Sequence, residues 1–420
     1  MGFEESLSEQ ARKLQIIFDH TPTSILLLFV ATGCAVIGVS LFFFLYLVAP
    51  SPRSSRKSER RYQTILPDGQ TSEPRELPCW MDTWRAKKEM AKQKGLKTND
   101  FIKPDDAEVF LSVVVPAYNE EARLSGMLEE AVDHLQKAYG DAQGPEVESK
   151  IPSVSATKKK EKGHVSAVSE ESTPRGWEIL IVSDGSTDST VEMALKFARD
   201  HQLSQYPIAV PGPWSAENKN STHIPHGAIR VITLEENRGK GGAVTHGMRH
   251  VRGKYAVFAD ADGASKFEDV EHLIRQCQEC EDPDGRAVAI GSRAHLVGSE
   301  AVVKRSKLRN FLMHAFHLLI RLMTPPATSS IRDTQCGFKL FSRNSLPDII
   351  PYMHCEGWIF DIEMLMLTES AGIPMAEVPV GWKEVMGSKL NVIWDSLGMA
   401  WGLAVLRGAW GVGIYSRNSF

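Results

Sequence analysis

The chain has 420 residues, 42% of them hydrophobic and 24% charged, with a formal net charge of −4. The length exceeds one small domain and allows a large core with appendages. The composition is that of an ordinary globular protein, and the slight acidity excludes a global pull toward nucleic acid.

Residues 1–23 form a mixed, partly acidic tail carrying Glu4, Glu5 and Glu9. From Thr21 to Pro52 there is no Lys, Arg, Asp or Glu. The stretch 24–48, SILLLFVATGCAVIGVSLFFFLYLV, would extend about 37 Å as a helix, enough to cross a bilayer. It is longer than a signal-peptide core and lacks a convincing cleavage site, so it reads as an uncleaved anchor. Arg53, Arg56, Lys57, Arg60 and Arg61 follow it, against only Arg12 and Lys13 before it. The positive-inside rule then makes the tail lumenal and the long C-terminal part cytosolic. Asn220, in an Asn-Ser-Thr triplet, stays unglycosylated on that side.

Residues 49–105 are polar and read as a juxtamembrane linker with some order around CWMDTW. A regular alternation follows over 106–391. Strands are expected at 110–116, 177–182, 228–234, 255–259 and 287–291, and helices at 120–139, 188–200, 240–253 and 267–280. Strand then helix, repeated, implies an α/β fold: a mostly parallel sheet with helices on both faces. Residues 141–175 read as a mobile insertion, and 203–227 as a shorter loop. Residues 307–323 form an apolar helix, either in the core or at a membrane interface. Residues 373–385 suggest a β-hairpin. The apolar, Trp-rich segment 392–420 carries Asp395 and Arg407, which disfavour a simple spanning helix. A membrane-associated helix or helical hairpin fits better, because Trp favours the interface. The six cysteines are scattered, and Cys277 and Cys280 read as a reduced pair on a helix rather than half of a zinc site.

The chemistry gathers at strand ends. The first strand ends in PAYNEE, with Pro116, Tyr118 and Glu120; Glu120 at a helix start suits the helix dipole. The second ends in SDGSTDST, where Asp184 precedes Gly185 and a ligand N–H could donate to its carboxylate. The third leads into NRGKGGA, three glycines and Lys240 at a helix start, a weak phosphate-binding signal without a Walker pattern. The fourth ends in Asp260-Ala-Asp262. Two carboxylates are costly inside a sheet but suit a divalent cation at its edge, with phosphates completing the shell. Each junction alone is matched by a turn or cap reading. All four fall at the same kind of strand end, where open α/β sheets bind ligands.

In order, VVVPAYNEE, EILIVSDGSTDST, NRGKGGA, FADADG, DTQCGFKLF and WKEVMGSK resemble glycosyltransferase family 2 over roughly residues 110–395. The resemblance implies a GT-A (Rossmann-like) fold, a nucleotide-sugar donor and an inverting mechanism. The motif set is most similar to the branch acting on lipid phosphates. That implies an endoplasmic reticulum membrane enzyme transferring glucose from UDP-glucose to dolichyl phosphate for protein N-glycosylation, with Mg²⁺ or Mn²⁺. By the same resemblance Pro116, Tyr118, Glu120 and Asp184 hold the uridine and Lys240 lies near base or phosphate. Asp260 and Asp262 serve ribose and metal-bound diphosphate.

An acceptor phosphate monoester is already ionised at neutral pH, so it needs cations more than a base. Arg293, Arg305 and Arg309 are the candidates, Arg through its fork of donors; contact with membrane lipid headgroups is a compatible reading of the later two. Asp333 and Lys339 are expected near the acceptor, Asp333 as an orienting group or a base. Trp358, Asp361 and Glu363 fall at a helix start. The chain has no Gln-x-x-Arg-Trp motif, against processive polymer synthesis. Two alternatives stand beside this reading: a mannosyltransferase using GDP-mannose, and a non-catalytic nucleotide-sugar-binding scaffold.

Overall fold

The strands are short, β-branched runs whose residues are buried on both faces, as a helix-covered parallel sheet requires. In the computed structural model, residues 22–95, 102–140, 174–205, 210–215, 220–296, 315–316, 318–385 and 392–417 are described. The chain divides into two units, one of Ser51–Ala400 and one of Met1–Pro50 with Trp401–Phe420.

In the larger unit β1 (Arg61–Tyr62) and β2 (Arg75–Glu76) make a small antiparallel ladder. The main sheet contains β3 (Val109–Ala117), β4 (Trp177–Asp184), β5 (Ile229–Leu234), β6 (Gly253–Ala259), β7 (Val288–Ser292), β8 (Phe338–Ser342) and β9 (Met375–Pro379). Their order is β5-β4-β3-β6-β8-β7-β9. Strands β3 to β6 are parallel, β8 runs antiparallel between β6 and β7, and β9 is parallel to β7. All five strands expected from the sequence are present. The expected hairpin at 373–385 is instead the single strand β9: Pro379 ends its pairing opposite Ser292, and no second arm follows. Strand β8 was not anticipated.

The chain builds β3, moves outward through β4 and β5, then returns to place β6 on the other side of β3. That reversal opens a crevice at the carboxyl ends of β3 and β6, the kind of place where such sheets hold ligands. Because β8 is antiparallel, Phe338 pairs with Ala259 and brings Gly337 beside Asp260.

The helix Leu124–Tyr139 buries Leu124, Met127, Leu128, Ala131, Val132 and Leu135 against the sheet. Their spacing of three and four residues marks one face. On the other side Gly247 of the helix Lys240–Met248 leaves no room for a side chain, since a Cβ there would come within 3.1 Å of Val182 as well as overlapping Val114.

The stretch read as a linker is built into this unit. Ile65 joins the core, Gln63 bridges to Val231, and Trp80 and Trp84 of the helix Trp80–Gln93 are buried. The Trp80 indole N–H donates to Met248 O at 2.7 Å. Buried indoles seek such partners, which is why CWMDTW is ordered.

In the smaller unit the helix Thr23–Val48 is the one described helix long and apolar enough to cross a membrane. The C-terminal segment forms one helix, Val392–Gly411, rather than a hairpin. Within this unit Phe44 meets Trp401 edge to face, and Leu45 packs over Gly408. Small residues permit such close helix contact in lipid.

Candidate active site

Two of the junction loops are stitched together before any ligand arrives. Asn119 sits at φ 54°, a left-handed conformation that Asn tolerates. Its carbonyl Oδ1 accepts the Thr187 N–H at 2.7 Å, and its own N–H donates to Ser186 Oγ at 3.1 Å. The Glu120 N–H donates to Thr190 Oγ1 at 2.8 Å. The ends of β3 and β4 therefore form one rigid lip, with Tyr118 partly exposed on it and Pro116 in the last turns of β3.

Asp184 closes β4. Its Oδ1 accepts the Arg238 N–H at 2.7 Å and its Oδ2 the Gly239 N–H at 2.9 Å. Burial pushes its carboxyl up to about 6, although those two N–H groups favour the ion. A carboxylate offers about four lone-pair positions, so both oxygens keep acceptor capacity. Gly185, at φ 67°, lies under the same loop: a Cβ there would stand 2.7 Å from Asn237 N.

Lys240 opens its helix and reaches across the crevice. Its Nζ lies 2.6 Å from Asp260 Oδ1. Burial disfavours its charge, but Asp260, Asp361 and Asp262 outweigh that and raise its basicity. Asp262 Oδ1 accepts the Ala264 N–H at 3.0 Å, and Oδ2 is 3.8 Å from Arg123. Burial, reinforced by Asp260, raises the Asp262 carboxyl. Arg123, not singled out from the sequence, also grips Glu120 through Nε and Nη2 at 2.7 and 2.6 Å. Arg123 thus ties Glu120 to the acidic pair, and its place two residues after the PAYNEE acids was the only signal.

The residues assigned to the acceptor are placed unequally. Arg293 follows β7 and donates from Nε and Nη2 to Asp333 at 2.7 and 2.8 Å, with Trp382 5.7 Å from its guanidinium. Burial alone would raise the Asp333 carboxyl, but the bonds from Arg293 lower it. Arg293 also feels the charge of Asp260, which puts it within electrostatic reach of the acidic pair. Lys339 does not line an open pocket. It is fully enclosed, ion-paired with Asp361, and donates to Cys336 O at 2.7 Å. An ammonium at this depth is stable only when paired, and Asp361 of the helix Phe360–Ser370 supplies the partner. Glu363 of the same helix accepts from the His354 and Cys355 N–H groups, a loop-holding role. Arg305, Arg309 and the Met386–Lys389 end of WKEVMGSK lie outside the described residues, as does 141–173 of the insertion.

A divalent cation fits the Asp260 and Asp262 carboxylates. Asp260 Oδ1 is buried without an aligned hydrogen-bond donor, Lys240 meeting it as a charge rather than through a directed bond. Gly337 backs the carboxylate so closely that any side chain would overlap it. Among the described residues no cluster of three or more His, Cys, Asp or Glu could hold a metal, so the remaining positions would fall to ligand oxygens and water, as for Mg²⁺ with phosphates.

The family model for glycosyl transferase family 2 matches residues 219–350. The chain is 37% identical over 413 residues to a dolichyl-phosphate beta-glucosyltransferase of Saccharomyces cerevisiae, covering 97% of this chain and 99% of that protein. It is 40% identical to the Drosophila melanogaster protein of the same name, covering 73% and 78%. With the Homo sapiens protein of that name the identity is 36%, covering 71% and 77%. Among solved structures, glucosyl-3-phosphoglycerate synthase from Mycobacterium tuberculosis in complex with Mn²⁺ and UDP-glucose aligns with a TM-score of 0.41 at 16% identity, covering 71% and 79%.

Proposed function

The chain belongs to the dolichyl-phosphate β-glucosyltransferases, and on that premise we propose that it transfers glucose from UDP-glucose to dolichyl phosphate. The transfer takes place at the cytosolic face of the endoplasmic reticulum membrane, with inversion at the anomeric carbon. The observation that carries this reading is the meeting of Asp184, Lys240, Asp260 and Asp262 along one sheet edge, with Lys240 2.6 Å from Asp260. Four independent strand ends would not bring an acidic pair, a lysine and a loop-gripping aspartate together by turn chemistry alone.

The lip of Pro116, Tyr118, Glu120 and Asp184 receives the uridine, and Lys240 the diphosphate. Asp260 and Asp262 hold Mg²⁺ or Mn²⁺, which when bound acts as a Lewis acid and stabilises the charge growing on departing UDP. A dolichyl phosphate oxygen attacks the anomeric carbon from the opposite face. The new oxygen–carbon bond forms as the bond from that carbon to the diphosphate breaks, and UDP leaves with the electron pair. No general base is required, because the acceptor is ionised. Asp333, lowered by Arg293, is a weak base and orients that arginine instead. Arg293, with Arg305 and Arg309, faces the acceptor phosphate, while Lys339 organises the floor. The charge-free helix Thr23–Val48 anchors the enzyme, and the basic residues after it favour a cytosolic catalytic unit.

Membranes containing the full chain, supplied with dolichyl phosphate, are to be offered labelled UDP-glucose or labelled GDP-mannose. The reading expects labelled lipid from UDP-glucose alone. Label arriving from GDP-mannose would favour the mannosyl alternative, and no labelled lipid from either donor would favour a scaffold.

A further inference from the structure

Segment 53–59, directly after the anchor, grips the loop that Asp184 grips from the other side. Arg238 is the hinge of this arrangement. Its main-chain N–H goes to Asp184 at 2.7 Å, while its guanidinium donates to Glu59 Oε2 at 2.6 Å, Arg53 O at 2.8 Å and Ser54 O at 2.9 Å. Glu59 and Arg238 are 1% and 8% exposed, so this is an enclosed ion pair. Glu59 Oε1 also accepts the Glu235 N–H at 3.2 Å. Arg53 Nη2 donates to Asn237 O at 3.0 Å, and its Nε pairs with Glu356 Oε2 at 2.8 Å. Glu356 O in turn accepts the Gly242 N–H at 3.0 Å and lies where a Cβ on Gly239 would come within 2.7 Å. The loop 235–239 therefore has its outward polar groups fixed by the strap and its inward N–H groups fixed by Asp184.

We propose that residues 53–59 are a positioning strap for the donor site, with Glu59 and Arg53 setting the nucleotide affinity through Arg238 and the 235–239 loop. This rests on the reading of Asp184 and Lys240 as donor-binding. Neither strap residue touches the donor. Without the strap the loop keeps only its Asp184 bonds, and the carboxylate and Lys240 at either end of it lose their fixed spacing. A loose supporting shell weakens a binding site even when every contacting residue is intact. Donor binding is thereby tied to the chain immediately following the membrane anchor.

The test titrates UDP with Mn²⁺ into detergent-solubilised full-length protein by calorimetry, alongside steady-state kinetics. Wild type is compared with Glu59→Ala, Glu59→Gln, Arg53→Ala and Asp184→Asn. Arg53 is half-exposed, so its variant folds even if Glu59→Ala does not. The expected result is a UDP dissociation constant raised at least fivefold by Glu59→Ala and at least threefold by Arg53→Ala. Glu59→Gln, which keeps an acceptor oxygen, falls between wild type and Glu59→Ala. Donor KM rises in parallel, while kcat and the acceptor KM stay within twofold. Wild-type UDP affinity in both strap variants, with binding lost in Asp184→Asn, overturns the strap and leaves the donor site standing. A fall in kcat with unchanged UDP affinity also overturns it. Undiminished UDP binding by Asp184→Asn removes the donor-site reading itself, and the strap with it.

Discussion

Asp184 and Arg238 are joined backbone to side chain at 2.7 Å, and the same arginine's guanidinium is buried against Glu59 at 2.6 Å. One residue thus links the end of a central strand to the segment that leaves the membrane anchor. A buried carboxylate in such a position has a pH signature. The Asp184 carboxyl is raised by burial to about 6. Its folded value therefore exceeds its unfolded one, and the folded state binds the extra proton between roughly pH 4 and 6. Stability from this group is greatest at low pH and falls as pH rises through that window. The free energy of unfolding of wild type relative to Asp184→Asn should decline by about 2–3 kcal/mol from pH 4 to pH 7. Parallel urea titrations of the two proteins across that range measure it; a flat difference would show that Asp184 keeps an ordinary carboxyl.

Gly337 backs the Asp260 carboxylate, and a Cβ there would overlap it. Gly337→Ala should push Asp260 out of register and reduce kcat at least tenfold, about 1.4 kcal/mol of transition-state stabilisation. The altered metal dependence is the diagnostic: a higher Mn²⁺ concentration for half-maximal turnover is expected. An unchanged metal titration would mean that Asp260 does not hold the ion.

Lys339 and Asp361 are enclosed partners. Removing one leaves the other as a buried charge, at a cost of about 3–5 kcal/mol. Lys339→Met should lower the melting temperature markedly, and adding Asp361→Leu should recover much of it. Were Lys339 instead an open acceptor-binding cation, the single variant would keep its stability and lose affinity for dolichyl phosphate.

Arg293 holds Asp333 with two donors and lies beside Trp382. Arg293→Lys loses the planar fork while keeping charge. Initial-rate kinetics should show the acceptor KM raised severalfold with the donor KM unchanged. The opposite pattern would move Arg293 to the donor side.

Much of this architecture was legible in the sequence because the sheet's central strands are apolar runs with turn residues at their ends. VVVPAYN and EILIVSD are buried on both faces, so their hydrophobicity is continuous and their chemistry falls at the tip. The acidic pair after β6 stood out for the same reason. Strand β8 did not, because FKLFS carries Lys339, a charge that only its partner Asp361 makes tolerable inside. The hairpin expected near 373–385 failed because IPMAEVP alternates like a hairpin arm, yet it pairs with distant β7. The strap was read as linker since Arg53, Arg56 and Glu59 have no periodicity. Their order comes from partners some 180 residues away, Arg238 to Glu59 among them, and local pattern holds no record of that. Arg123 and Gly337 were likewise invisible: each matters through what folding places beside it.

The most direct test concerns Asp262, at the centre of the acidic pair. Full-length wild type and Asp262→Asn, both shown to fold by circular dichroism, are to be compared for labelled glucosyl-lipid formed from UDP-glucose and dolichyl phosphate with Mn²⁺, before and after chelation. The expected outcome is at least a hundredfold fall in kcat for the variant, with wild-type turnover abolished by chelator and restored by metal. Glucosyl-lipid made by Asp262→Asn at the wild-type rate, or by wild type in excess chelator, would contradict the account.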